Sequence, residues 1–149
     1  MNGWLLDTNV IAEVSGTRPD FKVEKWLKAQ SEHLLFISIL TVAEYQKGIE
    51  KLLPGDKRRP QLKKSVLALQ NRFSGRVLSL TDQAVIRWGA ISGEVKRATG
   101  NWPSVVDTLL AATAIEHGLY LATRNGLHVA HSGAAIFNPW KDDPADFAL

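Results

Sequence analysis

A chain of 149 residues with 45% apolar content can bury one substantial core and falls within the size of a single domain, so one domain over residues 1–149 is expected. It has no cysteine, which excludes disulfides and thiolate zinc sites and suits a reducing cytosol, so any metal must bind oxygen or imidazole. No apolar run nears the roughly 20 residues of a membrane span and no leader-like pattern opens the chain, so a soluble, unprocessed, cytoplasmic protein is expected, its +3 net charge mildly favouring polyanions.

In chain order, "WLLDT" predicts a short buried strand and "NVIAEVSG" one or two helical turns closed by Gly16. Pro19 opens a helix, "PDFKVEKWLKAQ", on which Phe21, Val23, Trp26 and Leu27 form an apolar stripe. "LLFISIL" is apolar and β-branched and predicts a second strand with little exposed face. Thr41 to about Leu53 reads as a helix ended by Pro54 and Gly55, and Gln61 to Phe73 as another, after which Gly75 leads into the strand "RVLSL". Thr81 or Asp82 caps a long helix running to about Thr99, and Gly100-Asn101 breaks it.

"WPSVVDTLLAATAIEHG" is a further helix with Pro103 before its cap and Gly118 as its stop; its body is apolar nearly all round and must be buried. "LYLAT" and "AAIFN" supply two last strands, and the acidic tail "KDDPADFAL", from about residue 141, reads as weakly ordered. Strands separated by helices predict an α/β fold, a mostly parallel sheet with helices on both faces, whose functional groups gather beyond the carboxyl ends of the strands.

Three carboxylates interrupt apolar sequence: Asp7, Glu44 and Asp107. Each has a structural explanation, since Thr41-x-x-Glu44 and Ser104-x-x-Asp107 fit a capping box and Asp7 fits an N-cap. Together they mean more, because strand ends and helix starts share one edge of a parallel sheet, where three acids would repel one another unless a cation held them. Hard divalent ions suit such oxygen sites, and an acid cluster on a basic protein points to metal-assisted phosphodiester cleavage. The segment "KLLPGDKRRPQLKKS" sets Lys51, Lys57, Arg58, Arg59, Lys63 and Lys64 against the single acid Asp56; it reads as a solvated turn between helices, with a phosphate-following patch as the alternative.

"LLDTNVI", "ILTVAEYQKGI", "DTLLAATAIEHGLYLATRN" and "IFNPW", in this order and spacing over nearly the whole chain, resemble a PIN-domain ribonuclease of the VapC/FitB-like toxins of prokaryotic toxin–antitoxin pairs. The resemblance implies a PIN-like fold, Mg2+ or Mn2+ as cofactor, Asp7 and Asp107 as principal metal ligands, and Glu44 as the acid that orients or deprotonates the attacking water. It sets Thr8 and Asn9 in the polar pair after the first acid, with Thr123 as a hydrogen-bonding neighbour and Arg124 as a phosphate contact. Where many relatives carry a fourth acid, this chain has Asn125, which can coordinate through its carbonyl oxygen but brings no charge, weakening a second metal site more than the first. His128 and His131 read as exposed loop histidines, His117 as a helix-terminal cation, and Trp102 as the tryptophan to watch for base stacking.

The implied partners are a cognate antitoxin, an RNA substrate, operator DNA through the antitoxin alone, and a second copy of the chain. Two other functions remain open at this point: a catalytically weak partner acting within an antitoxin–DNA repressor complex, which Asn125 suggests, and an acid-cluster phosphatase acting on small molecules.

Overall fold

The computed structural model describes residues 1–149. Five parallel strands, β1 (Trp4–Leu6), β2 (Leu35–Ser38), β3 (Val77–Leu78), β4 (Tyr120–Ala122) and β5 (Ile136–Phe137), lie in the order β3-β2-β1-β4-β5. Six helices connect them: α1 (Thr8–Val14), α2 (Phe21–Ala29), α3 (Ile39–Glu50), α4 (Arg58–Arg72), α5 (Asp82–Thr99) and α6 (Val105–His117). The expected α/β architecture is therefore present, and β1 is its central strand.

The run Trp4-Leu5-Leu6 lacks polar alternation because both its faces are covered. Trp4 and Leu6 join Val10, Ile11, Val23, Trp26, Leu69 and Phe73 on one side of the sheet, while Leu5 packs with Leu110, Ala111, Ala114 and Leu121 on the other. Gly3 fixes the entry to this strand, since its φ is +145° and a Cβ there would stand 2.4 Å from the Leu34 carbonyl oxygen. Register then delivers Asp7 to the carboxyl edge, where its N–H donates to the Ala122 carbonyl at 3.0 Å.

Several boundaries differ from the sequence expectation. The second strand stops at Ser38, whose hydroxyl accepts from the Leu40 N–H at 3.1 Å and so turns Ile39 and Leu40 into the first turn of α3. Thr41 is consequently inside the helix and does not cap it. Helix α2 begins at Phe21 behind the cap Asp20, and α4 begins at Arg58, ahead of the expected Gln61. Thr81 caps α5, and left-handed Gly100 and Gly118 close α5 and α6 as expected. Helix α6 buries Thr108 and Leu110 through Ala114, in keeping with its all-round apolar body.

The acidic tail, expected to be loose, folds back onto the sheet. Its charges sit in turns, where Asp142 accepts from the Asn138 N–H and Asp143 from the Ala145 N–H, leaving Phe147 free to pack against Phe137, Tyr120 and Trp4 at centroid distances of 4.8, 5.3 and 6.4 Å. The Tyr120 hydroxyl donates to the Ala148 carbonyl at 3.0 Å. Loss of this half-buried ring in Phe147→Ala is expected to lower the unfolding free energy by about 2 kcal/mol, read as a lower denaturant midpoint at unchanged slope. An unmoved midpoint would show that the tail adds nothing to the core.

Candidate active site

Four elements meet at the carboxyl edge of the sheet: the end of β1, the start of α6, the segment after β4, and α3. Asp7 occupies the N-cap position of α1, yet its side chain makes no capping hydrogen bond to that helix. Its Oδ2 instead accepts from the Thr123 hydroxyl at 2.7 Å and from the Asn9 amide at 3.0 Å. Thr123 Oγ1 in turn accepts from the Asn125 N–H at 3.0 Å, and Asn9 Oδ1 accepts from the Arg124 N–H at 3.2 Å. The first and fourth strands are thus tied together around one carboxylate, which is only 6% exposed. Burial pushes the Asp7 carboxyl above its usual range and the Asp107 charge adds to the rise, while the bonds from Thr123, Thr8 and Asn9 pull the other way.

Asp107 stands in the first turn of α6 because Ser104 caps that helix, its hydroxyl accepting from the Asp107 N–H at 3.4 Å. Only the serine half of the expected capping box forms. The Asp107 carboxylate turns to the sheet edge, where its Oδ2 lies 3.3 Å from Nδ1 of His128. Asp7, Asp107, Thr123 and Asn125 line one small pocket over a floor of Leu110, Leu121 and Val129.

Glu44 lies outside that lining, on α3, where its Oε1 accepts from the Thr8 hydroxyl at 3.0 Å. Thr8 Oγ1 also lies 3.2 Å from Thr41 Oγ1, so the threonine expected to cap Glu44's helix buttresses its partner instead. Half-burial is the main reason that the Glu44 carboxyl is raised; the Asp7 and Asp107 charges push the same way, and Thr8 and Lys47 oppose them. The three acids, scattered over a hundred residues of sequence, therefore act on one another electrostatically.

The donor set is carboxylate, hydroxyl and amide oxygen. No three acid or imidazole groups come close enough to enclose an ion between them. Oxygen donors of this kind are the chemistry of hard cations, and Mg2+ in particular is usually held through one or two carboxylates and keeps several of its waters. Asp7 and Asp107 place two carboxylates on the pocket lining.

Other sequence candidates fare differently. Arg124 contributes its backbone N–H, while its guanidinium lies over the Trp140 ring at 5.1 Å rather than in the pocket. Trp102 is 69% exposed with Lys96 Nζ 5.7 Å from its ring centre. His131 stays at the surface, but His128, read from sequence as a loop histidine, reaches Asp107. A short 3-10 turn, Gly126–Val129, buries Val129 and brings His128 to Asp107; the sequence signal for it, an apolar residue beside each histidine in "LHVAH", is weak.

Residues 4–128 match the family model described as "PIN domain". The chain is 35% identical over 141 residues to the toxin FitB of Neisseria gonorrhoeae, covering 93% of this chain and 99% of that protein. It is also 35% identical over 141 residues to the VapC ribonuclease Y4jK of Sinorhizobium fredii, with 92% and 97% covered. Among solved structures, it is similar to FitAcB from Neisseria gonorrhoeae at a TM-score of 0.83 and 33% identity, covering 92% of this chain and 98% of that one. It is similar too to FitAB bound to the IR36 DNA fragment, at 0.80 and 31%, covering 94% and 97%.

Proposed function

The chain belongs to the PIN-domain family, and from that premise we propose that it is a Mg2+-dependent endoribonuclease toxin of a toxin–antitoxin pair. The observation that carries the reading is the convergence of Asp7 and Asp107, a hundred residues apart, on one oxygen-lined pocket. The names of its relatives, a toxin and a ribonuclease, supply the class. Asp7 and Asp107 would hold Mg2+ or Mn2+, with Asn125 as a neutral oxygen donor beside them. When bound, the ion supplies Lewis acidity toward a phosphate oxygen and toward water.

The chain's own residues do the rest. Thr123 and Asn9 lock the rotamer of Asp7, and His128 holds Asp107. Thr8 occupies Oε1 of Glu44, leaving Oε2 to orient the attacking water and take its proton; the raised proton affinity of this half-buried carboxylate suits it to that role. An antitoxin would silence the site by laying an Arg or Lys across the acids, where a side-chain cation neutralises them as a metal ion does. Operator DNA would be bound through that antitoxin, as the FitAB–DNA assembly suggests, and a homodimer accords with the family resemblance.

The test is cleavage of structured RNA by the purified, antitoxin-free chain with Mg2+ or Mn2+. Equal cleavage by Asp7→Asn and Asp107→Asn proteins would overturn the reading. The neutral Asn125 in the pocket lining favours one alternative, a weak enzyme acting mainly as a binding partner; robust cleavage by the unaltered chain excludes it.

His128 provides a finer check. His128→Ala is expected to lower Mn2+ affinity, measured by paramagnetic resonance, about tenfold, the usual effect of losing a residue that orients a metal ligand. His128→Asn keeps a donor near the Nδ1 position and should recover most of that loss; no recovery would assign His128 another role.

A further inference from the structure

The same face of α3 that presents Glu44 also carries Lys47, Gly48 and Lys51, at the i+3, i+4 and i+7 positions. Lys47 is close enough for its charge to act on Glu44. At Gly48 nothing lies within 4 Å of where a Cβ would stand, so the helix surface is open there. The face runs into a groove between α3 and α4 lined by Gly48, Lys51, Leu52, Lys57, Gln61 and Leu62 with Arg58, and Lys64 continues the Lys57–Gln61 face of α4 by one more turn. Lys51 stands about 10 Å from Glu44 along the helix axis, at 1.5 Å per residue.

The lysines of this path, unlike its arginines, are uncommitted. Arg58 is held by Asp56 and Arg59 by Glu50 and two carbonyls at the end of α3, but Lys47, Lys51, Lys57, Lys63 and Lys64 pair with no carboxylate. The five are exposed. A row of free ammonium groups that starts beside a proposed catalytic acid and ends in a groove with two leucines complements a flexible polyanion whose bases offer apolar faces.

We infer that the α3 face and the first turns of α4 form a phosphate track that holds the RNA strand flanking the cleaved bond. The inference rests on the ribonuclease reading and adds to it the route of a single strand away from the acids. Lys51, Lys57 and Lys64 contact successive phosphates, and Leu52 and Leu62 take a base.

Binding of a fluorescent oligouridylate of a dozen nucleotides to the Asp7→Asn chain, followed by anisotropy at several salt concentrations, tests this without interference from cleavage. Adding Lys51→Gln, Lys57→Gln and Lys64→Gln together is expected to flatten the slope of log affinity against log salt by about 2, at about 0.7 per phosphate contact on a single strand. Between about 50 and 200 mM salt the unsubstituted track would then lose roughly 20-fold more affinity than the triple variant. Lys22→Gln, Lys25→Gln and Lys141→Gln, an equal charge change at a surface pocket elsewhere, should leave the slope as it was. An unchanged slope in the first triple, or an equal fall in the second, overturns the track. Failure of the ribonuclease reading shows separately, as intact structured RNA after incubation of the unaltered chain with Mn2+.

Discussion

Asp7→Asn is expected to cut RNA cleavage by roughly three orders of magnitude, the rate equivalent of several kcal/mol of transition-state charge stabilisation, and at the same time to raise the melting temperature of the metal-free protein at neutral pH. The two effects have one cause. Asp7 is nearly fully buried, so its charge is poorly solvated, and Asp107 repels it. A carboxyl whose folded-state affinity for protons is raised favours the native state most at low pH, where both states are protonated; that contribution fades as pH rises through the folded value. The neutral amide is free of this penalty. The melting temperatures of Asp7→Asn and the unaltered protein should therefore converge as pH falls from neutral toward the acid range. Glu32 and Asp56, held low mainly by Arg72 and Arg58 respectively, titrate with the opposite sign but do so equally in both proteins, so the difference isolates Asp7. Cleavage at the unaltered rate would remove Asp7 from the chemistry. A lower melting temperature at neutral pH would show that its hydrogen bonds outweigh its desolvation.

The second large effect is expected at Asp107, and it should exceed that at Glu44. Asp107→Asn removes half of the carboxylate pair that lines the pocket, and cleavage is expected to fall by about a thousandfold with a parallel loss of Mn2+ binding by calorimetry. Glu44→Gln should lower cleavage by about a hundredfold, within the usual range for a general base, and leave Mn2+ affinity close to its starting value. The split follows from position: Glu44 is tied to Thr8 and stands outside the pocket lining, so it serves the water rather than the ion. Equal losses of Mn2+ affinity at Asp107 and Glu44 would place both among the metal ligands and overturn this division.

The acids were legible along the chain because each breaks an apolar run, Asp7 at a strand end and Asp107 at a helix start, whereas Glu44 falls in the second turn of a helix that begins earlier than its sequence suggests. The caps at Thr81 and Ser104 and the stops at Gly100 and Gly118 were legible because local chemistry tolerates few alternatives there. Ser38 was missed: "LLFISIL" has one apolar pattern throughout, and only the hydroxyl bond to the Leu40 N–H divides it into strand and helix. The tail was misread because its acids suggest solvent, whereas its single phenylalanine finds Phe137 and Tyr120 on distant strands.

Local sequence alone settles the alternation of strands and helices and the burial of β1, since hydrophobic burial and capping act over a few residues. Folding decides what each acid touches. It ties the Asp7 carboxylate to Thr123 and Asn9, sets Thr8 rather than Thr41 against Glu44, and brings His128 to Asp107. Those partners lie between 2 and 116 residues away, and no spacing rule encodes them, because side chains meet across strands only once the register of the sheet is formed.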